Sequence, residues 1–291
     1  MGRIPESAFS LLKGVSDIAQ ADFRYATIAL GSGWPFSFGS MVYWQHHIYG
    51  NGISFACTMT DNILLENIKN IFRKMSSAAI RSGRSPFDVK LIAATKTVGI
   101  ERIVEAAELG LRVFGENKVQ EAKEKILNIK SHSDCEPEWH MIGHLQKNKA
   151  NAAVELFDMI ESVDSIGLAE EVNKYAGRQG KTQRVLIQVK LSGEETKYGV
   201  EREDLMDLIK AVSGMKNLKL EGLMTIPPFF DSPEAARPYF RGLRELRDRA
   251  EGEGHSLPEL CMGMTNDFEV AILEGATMVR IGTGIFGERR Y

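Results

Sequence analysis

From Val89 onward the chain alternates one pattern: eight short apolar runs, separated by segments with helical spacing of their apolar residues. This alternation constrains the fold more than any other feature. An apolar run of four to eight residues suits a strand buried on both faces. Strands that alternate with helices build a parallel sheet, because each crossover returns the chain to the same end. The strand-like runs cover residues 89–94, 112–115, 139–142, 159–163, 185–190, 218–225, 260–264 and 278–281. Helical patterns fall over 100–109, with Gly110 as a C-cap, and over 119–129, 147–156, 166–175, 204–212, 233–250 and 267–273. Asp231 or Ser232 stands near the N-cap of the long helix at 233–250. Eight such repeats within roughly 230 residues close most economically as a single (β/α)8 TIM-type barrel. An open doubly wound sheet would want a glycine-rich G-x-G-x-x-G turn after an early strand, and no early strand here is followed by one. A further helix, with Ile63, Ile68, Ile71 and Phe72 in register over 62–81, precedes the first strand. It is expected to cap the bottom of the barrel or to pack on its side.

Residues 1–58 read differently. Between Tyr25 and Thr60 there is no Lys, Arg, Asp or Glu, and Gly, Ser and Pro interrupt every apolar run. A membrane span wants about 20 mostly apolar residues, and a signal peptide wants its basic and apolar regions at the very start; neither is present. Met1-Gly2 lacks the Ser or Thr at position 6 that a myristoylation signal would show. Met59 leads straight into the helical pattern. Residues 1–58 are therefore expected to be an extension outside the fold, disordered or an artefact of the start site, with the barrel over 59–291.

Composition excludes several classes. The chain is 43% hydrophobic and 26% charged, as in a globular protein. A net charge of −3 gives no basic excess for nucleic acid. Cys57, Cys135 and Cys261 are too few and too scattered for a disulfide framework or a zinc site, so a reducing, cytoplasmic setting is expected.

Barrels of this kind place their working groups at the C-terminal ends of the strands, and four polar groups gather there. Lys96 closes the first strand in Ala94-Thr95-Lys96-Thr97. Partial burial would favour its neutral, nucleophilic form, although the tetrapeptide alone fits a snorkelling lysine better. Asn117 ends the second strand in Phe114-Gly115-Glu116-Asn117 and fits a cofactor hydroxyl or a helix cap equally well. His140 and His144, four apart, fall on a strand and its exit, and with no third ligand evident a satisfied core His140 outweighs a metal pair. Gln146 and Asn148 are expected to organise the loop that follows. The strongest signal is Gly263-Met264-Thr265-Asn266-Asp267 after strand seven together with Arg280-Ile281-Gly282-Thr283-Gly284 after strand eight. Barrels bind phosphate with those two loops and a helix N-terminus; turn glycines with an N-cap are the less favoured account. A phosphate site on one side of the mouth and an amine on the other describe pyridoxal 5′-phosphate (PLP) held as a Schiff base. Arg280, within strand eight, could face the pyridine nitrogen and leave it unprotonated.

These segments, with Trp139-His140-Met141-Ile142-Gly143-His144-Leu145-Gln146 and Gly222-Leu223-Met224, resemble the pyridoxal phosphate homeostasis proteins of the YggS/PROSC type over about 59–287. The resemblance implies the alanine racemase N-terminal barrel fold. It implies Lys96 as the Schiff-base lysine, Thr265, Gly282 and Thr283 as phosphate ligands, Arg280 at the pyridine nitrogen, Asn117 and Met224 beside the cofactor, and Lys197 as a basic residue near the mouth. The family usually has Ser where Thr265 stands; the hydroxyl is kept. A non-catalytic PLP carrier or reservoir is the expected function, with apo PLP-dependent enzymes as recipients, no metal, no nucleic acid and no membrane. A PLP-dependent racemase-like enzyme is the alternative, and an interaction protein with a relic cofactor the third. Racemases of this fold take a second base from a separate C-terminal domain, and a chain ending at Tyr291 is expected to lack it.

Overall fold

A computed structural model describes residues 63–132, 136–194 and 198–288. The extension 1–58, Cys57, Cys135, Lys197 and Tyr291 lie outside the described residues. The eight expected strands all form: β1 (Lys90–Ala94), β2 (Val113–Glu116), β3 (Glu138–Met141), β4 (Met159–Val163), β5 (Gln183–Gln188), β6 (Leu218–Met224), β7 (Glu259–Cys261) and β8 (Met278–Ile281). They pair in sequence order into a closed barrel. The closing seam is parallel, with Ile92 opposite Arg280 and Ala93 opposite Ile281.

Each strand is followed by a helix: α2 (Ile100–Glu108), α3 (Val119–His132), α4 (Ala150–Leu156), α5 (Ile166–Arg178), α6 (Leu205–Ser213), α7 (Arg237–Gly252), α8 (Phe268–Leu273) and α9 (Thr283–Phe286). The first helix, α1 (Ile63–Arg81), buries a stripe of Leu64, Ile68, Ile71, Met75, Ala78 and Ala79. It packs beside α8 and α9, not across the barrel's bottom. Because α9 is a single turn, α1 supplements the outer ring next to it. Arg84 ties the exit of α1 to the last unit by donating to the carbonyls of Ala276 (2.9 Å) and Ile272 (2.6 Å).

Several boundaries differ from the sequence reading by a few residues, and three of the differences have a clear local reason. β7 ends at Cys261 and not at 264, because Gly263 has φ +95° and turns the chain. The helix expected over 147–156 opens as a 3₁₀ turn at Lys147–Lys149. The one expected over 233–250 is a 3₁₀ turn, Pro233–Ala236, followed by α7. Pro238 has no N–H to donate backward, so it belongs in the first turn of a new helix and not inside a continuous one.

The barrel interior is filled by Ile92, Ile142, Met159, Leu186, Met224, Cys261 and Met278, with Val113 against them. Fully burying side chains of this kind contributes about 1.5–3 kcal/mol each. Gly115 in β2 also faces inward: a Cβ there would lie 2.8 Å from Ile142 Cδ1 and 2.9 Å from Ile92 Cγ2. Its missing side chain is the space those two isoleucines occupy. Among the described residues no helix is long and apolar enough to cross a membrane.

Candidate functional site at the barrel mouth

The loops after β7 and β8 form a hydroxyl-lined cup. Gly263 turns the chain at a place where a Cβ would strike the Phe268 Cα at 2.9 Å, so φ and packing both require glycine. The Met264 N–H donates to Asp267 Oδ1 at 2.7 Å, which folds the loop back on itself. This presents Thr265 to the start of α9. Thr283 Oγ1 donates to Thr265 Oγ1 at 3.1 Å, and the Gly284 N–H donates to the same oxygen at 3.2 Å. With both acceptor positions of Thr265 Oγ1 filled, its own hydrogen is the one left for a ligand. Gly282 lies against β1: a Cβ there would sit 3.3 Å from the Ala94 carbonyl oxygen. The cup therefore abuts the end of the strand that carries Lys96, two residues on.

Lys96 is exposed at the rim, on a turn closed by the Val98 N–H donating to the Thr95 carbonyl at 2.9 Å. Beneath it lies a buried polar cluster that the sequence reading did not single out. Thr95 Oγ1 donates to Glu116 Oε1 at 2.6 Å. Lys125 Nζ, from α3, donates to the Thr95 carbonyl (2.7 Å), to Glu116 Oε1 (2.6 Å) and to Glu121 Oε1 (2.6 Å). Burial pushes the Glu116 carboxyl up, against the hydrogen bonds from Lys125 and Thr95. Burial also acts to raise Glu121, but the bonds from Lys125 and the Thr97 N–H outweigh it and hold that carboxyl low.

Arg280 is buried in β8 and reaches across the floor of the mouth. Its guanidinium donates to the Cys261 carbonyl (3.1 Å) and Sγ (2.8 Å), and to the carbonyl of Thr225 just past the end of β6 (2.8 Å). Met224 is fully buried beside it in the interior cluster. Burial raises the Cys261 thiol well above its ordinary value, so it stays protonated and is no nucleophile.

Below Arg280 runs a second network, also absent from the sequence reading apart from His140. His140 Nδ1 is 2.6 Å from Glu161 Oε1, and Nε2 is 2.9 Å from Glu138 Oε1. Two carboxylates facing two ring nitrogens require both nitrogens to donate, which makes the ring an imidazolium. Burial acts to lower its pKa, but the bonds to Glu138 and Glu161 win and raise it to about 9. The bond to His140, helped by Arg184, holds Glu138 at about 2 in spite of burial. Arg184 in turn binds Glu138 and Glu221, and Glu161 Oε2 stands 3.8 Å from Arg280 Nη1. The signal in the sequence was Glu161 itself, a carboxylate inside the apolar run Met-Ile-Glu-Ser-Val. Such a group is buried only when paired.

The remaining candidates sort around these. Asn117 follows β2, with its backbone so close to Gly143 that a Cβ on the glycine would lie 2.5 Å from the Asn117 carbonyl oxygen. A recess of about 280 Å³ opens beside it, lined by Asn117, Lys118, Met141, His144, Gln146 and Lys149 among others. His144 stacks on Tyr198 with ring centroids 3.6 Å apart and sits 3.4 Å from Asp164. His140 and His144 thus have separate partners, and among the described residues no group of three potential ligands could hold a metal ion. Gln146 contributes to its loop through its carbonyl, which accepts from the Lys149 N–H. A larger recess of about 600 Å³ lies at the opposite end of the barrel, among Lys90, Arg184, Lys219, Glu221 and Glu259. Its charges are paired with one another, and that end of such barrels serves stability.

The donor set at the mouth fits PLP. Two hydroxyls and a helix N-terminus suit a phosphate, an amine on the neighbouring strand suits an aldehyde, and a guanidinium on the floor suits a ring nitrogen. Fold and site together define an alanine racemase-type PLP barrel, and residues 63–290 match the family model for the alanine racemase N-terminal domain. The chain belongs to the family of pyridoxal phosphate homeostasis proteins. It is 48% identical over 227 residues to the one from Aquifex aeolicus (strain VF5), covering 78% of this chain and 98% of that protein. It is 38% identical over 236 residues to the one from Escherichia coli (strain K12), covering 79% and 98%. PipY of Synechococcus elongatus PCC7942, solved with PLP bound, superposes with a TM-score of 0.67 at 36% identity, covering 77% of this chain and all of that one.

Proposed function

We propose that this protein binds PLP at the mouth of the barrel and acts in intracellular PLP homeostasis as a carrier or reservoir, not as a catalyst. In this reading Lys96 holds the aldehyde as a Schiff base. Thr265, Gly282 and Thr283 hold the phosphate, Asn117 and Met224 flank the cofactor, and Arg280 faces the ring nitrogen. The observation that carries it is the parallel pairing of β8 with β1, which brings Gly282 so near Ala94 that a Cβ there would sit 3.3 Å from the Ala94 carbonyl oxygen. It sets the hydroxyl cup directly beside the strand end that bears the lysine, on three successive strands β7, β8 and β1. The names of the relatives and the PLP in PipY support the ligand.

When bound, PLP supplies a reactive aldehyde and an electron-withdrawing ring. This chain's residues set how far that ring can be used. A guanidinium at the ring nitrogen donates a hydrogen bond and opposes protonation there, which weakens the ring as an electron sink. A site that captures the aldehyde while restraining the ring suits storage and delivery to apo-enzymes in the cytoplasm. Lys96→Ala is expected to remove both the visible absorbance of the lysine-bound cofactor and the adduct fixed by borohydride. A full-strength band in that variant assigns the Schiff base elsewhere. Delivery is tested by comparing reactivation of a PLP-dependent apo-enzyme by the loaded protein and by free PLP. Reactivation no faster than release into solution removes the carrier role and leaves a reservoir.

A further inference from the structure

Among the described residues, one non-glycine residue has a positive φ: Thr97, at +64°. A β-branched side chain rarely adopts this region, and where it does the surroundings must hold it there. Thr97 directly follows Lys96. Its N–H donates to Glu121 Oε1 at 2.7 Å, and its hydroxyl donates to the Lys96 carbonyl at 2.6 Å. Glu121 comes from the first turn of α3, on the next βα unit.

The same Glu121 oxygen accepts from Lys125. Lys125 spends its other two donors on the Thr95 carbonyl and on Glu116. An ammonium has three hydrogens, and these point to the residue before Lys96, to the end of β2, and to the carboxylate that holds the residue after Lys96. The result is a closed clamp: Thr95 carbonyl, Lys125, Glu121, Thr97 N–H. It fixes the backbone on both sides of Lys96. The Glu121 side chain is about a quarter exposed, whereas those of Lys125 and Glu116 are almost wholly buried. The carboxylate at 121 is partly buried and serves two donors at once, the buried Lys125 and the Thr97 N–H. The strained turn needs an acceptor there.

We propose that Glu121 is a positioning residue for Lys96: anchored by Lys125, it holds Thr97 in the left-handed conformation that keeps the Lys96 turn formed before the cofactor arrives. This rests on the reading of Lys96 as the PLP lysine. A lysine whose flanking backbone is already ordered loses less freedom on capturing an aldehyde. Glu121 touches neither the amine nor the cofactor and acts only through the turn.

The test is a PLP titration followed by visible absorbance, with borohydride fixation and the melting temperature of the apo-protein measured alongside. Glu121→Ala is expected to weaken PLP binding about tenfold, the size of one hydrogen bond to a charged acceptor, and to lower the apo melting temperature because the buried Lys125 loses one acceptor. Glu121→Gln keeps the acceptor oxygen and is expected to retain most of the affinity. If the effect runs through the turn, glycine at 97 removes the need for the clamp. The loss caused by Glu121→Ala is then expected to shrink to less than about threefold in a Thr97→Gly background, as a coupled pair requires. Wild-type affinity in Glu121→Ala, or an equal loss in both backgrounds, overturns the proposal. Lys96→Ala in the same titration separates the two levels. A band that persists there sinks the lysine assignment and the clamp with it; a band that vanishes there while Glu121→Ala binds normally sinks the clamp alone.

Discussion

Thr265 and Thr283 meet from loops that follow different strands, and their hydroxyls lie 3.1 Å apart. Thr265 is expected to donate to a phosphate oxygen, and Thr283 to turn its one hydrogen from Thr265 to the phosphate on binding, so Thr265→Ala and Thr283→Ala should each weaken PLP binding by about 1–3 kcal/mol. Equilibrium titration of the two variants measures this, and unchanged affinity in both places the phosphate outside the cup. These residues were legible in the sequence because phosphate loops carry their own local signature of glycine, hydroxyl and helix start. Lys96 stood out only in combination with those loops and the family resemblance, since its strand-end tetrapeptide alone fits a snorkelling lysine better. Glu121 and Lys125 were not legible, since Thr97 and Glu121 are 24 positions apart in the chain and nothing local announces their contact. A glutamate and a lysine four apart on a helix look like an ordinary surface pair until the strand end beside them is in place.

Strands β3, β4, β5 and β8 are joined across the barrel interior by His140, Glu138, Glu161, Arg184 and Arg280. The pH dependence of this joint follows from the direction of each shift. His140 rises from 6.5 to about 9 on folding, so its contribution is complete below pH 6.5 and is lost as pH climbs through 9. Glu138 falls from 4.5 to about 2, so its contribution is complete above pH 4.5 and is lost as pH drops through 2. Thermal unfolding should therefore show a plateau between pH 4.5 and 6.5 and a decline toward pH 9. His140→Gln takes the charged partner from the fully buried Glu161 and is expected to cost about 3–5 kcal/mol on the plateau. It should also abolish the alkaline decline attributable to this group; the same slope in the variant as in the parent assigns that decline to other residues. At this scale the eight strands and every helix but the single turn α9 were readable from the sequence pattern. The points where the reading missed were irregular ends: the early exit of β7 at Gly263, and the 3₁₀ turns before α4 and α7, where a local backbone choice overrides the apolar period.

The described residues form one barrel with α1 packed on its side. Since the helical pattern begins near Met59 and the family match begins at 63, removal of residues 1–58 is expected to leave PLP affinity and melting temperature nearly unchanged. Aggregation or loss of the cofactor in a protein starting at Met59 would make those residues part of the fold. The carrier reading also predicts negligible racemase, transaminase or decarboxylase turnover, because Arg280 opposes protonation of the ring nitrogen. Incubation with L- and D-amino acids and chiral chromatography tests this. Saturable turnover at ordinary enzyme rates, about 1–1000 per second, that vanishes in Lys96→Ala establishes the enzyme instead. What the sequence determined by itself was the barrel; it also singled out the loops after β7 and β8 and the strand end at Lys96, which the fold brings side by side. Those features follow from short continuous apolar runs, the 3.6-residue helical period and turn chemistry, which act between near neighbours in the chain. The tertiary structure decided the two buried networks, the side-on place of α1 and the clamp on the Lys96 turn. Each joins groups from different βα units, and whether a buried charge finds its partner depends on barrel closure and register, which no local pattern encodes.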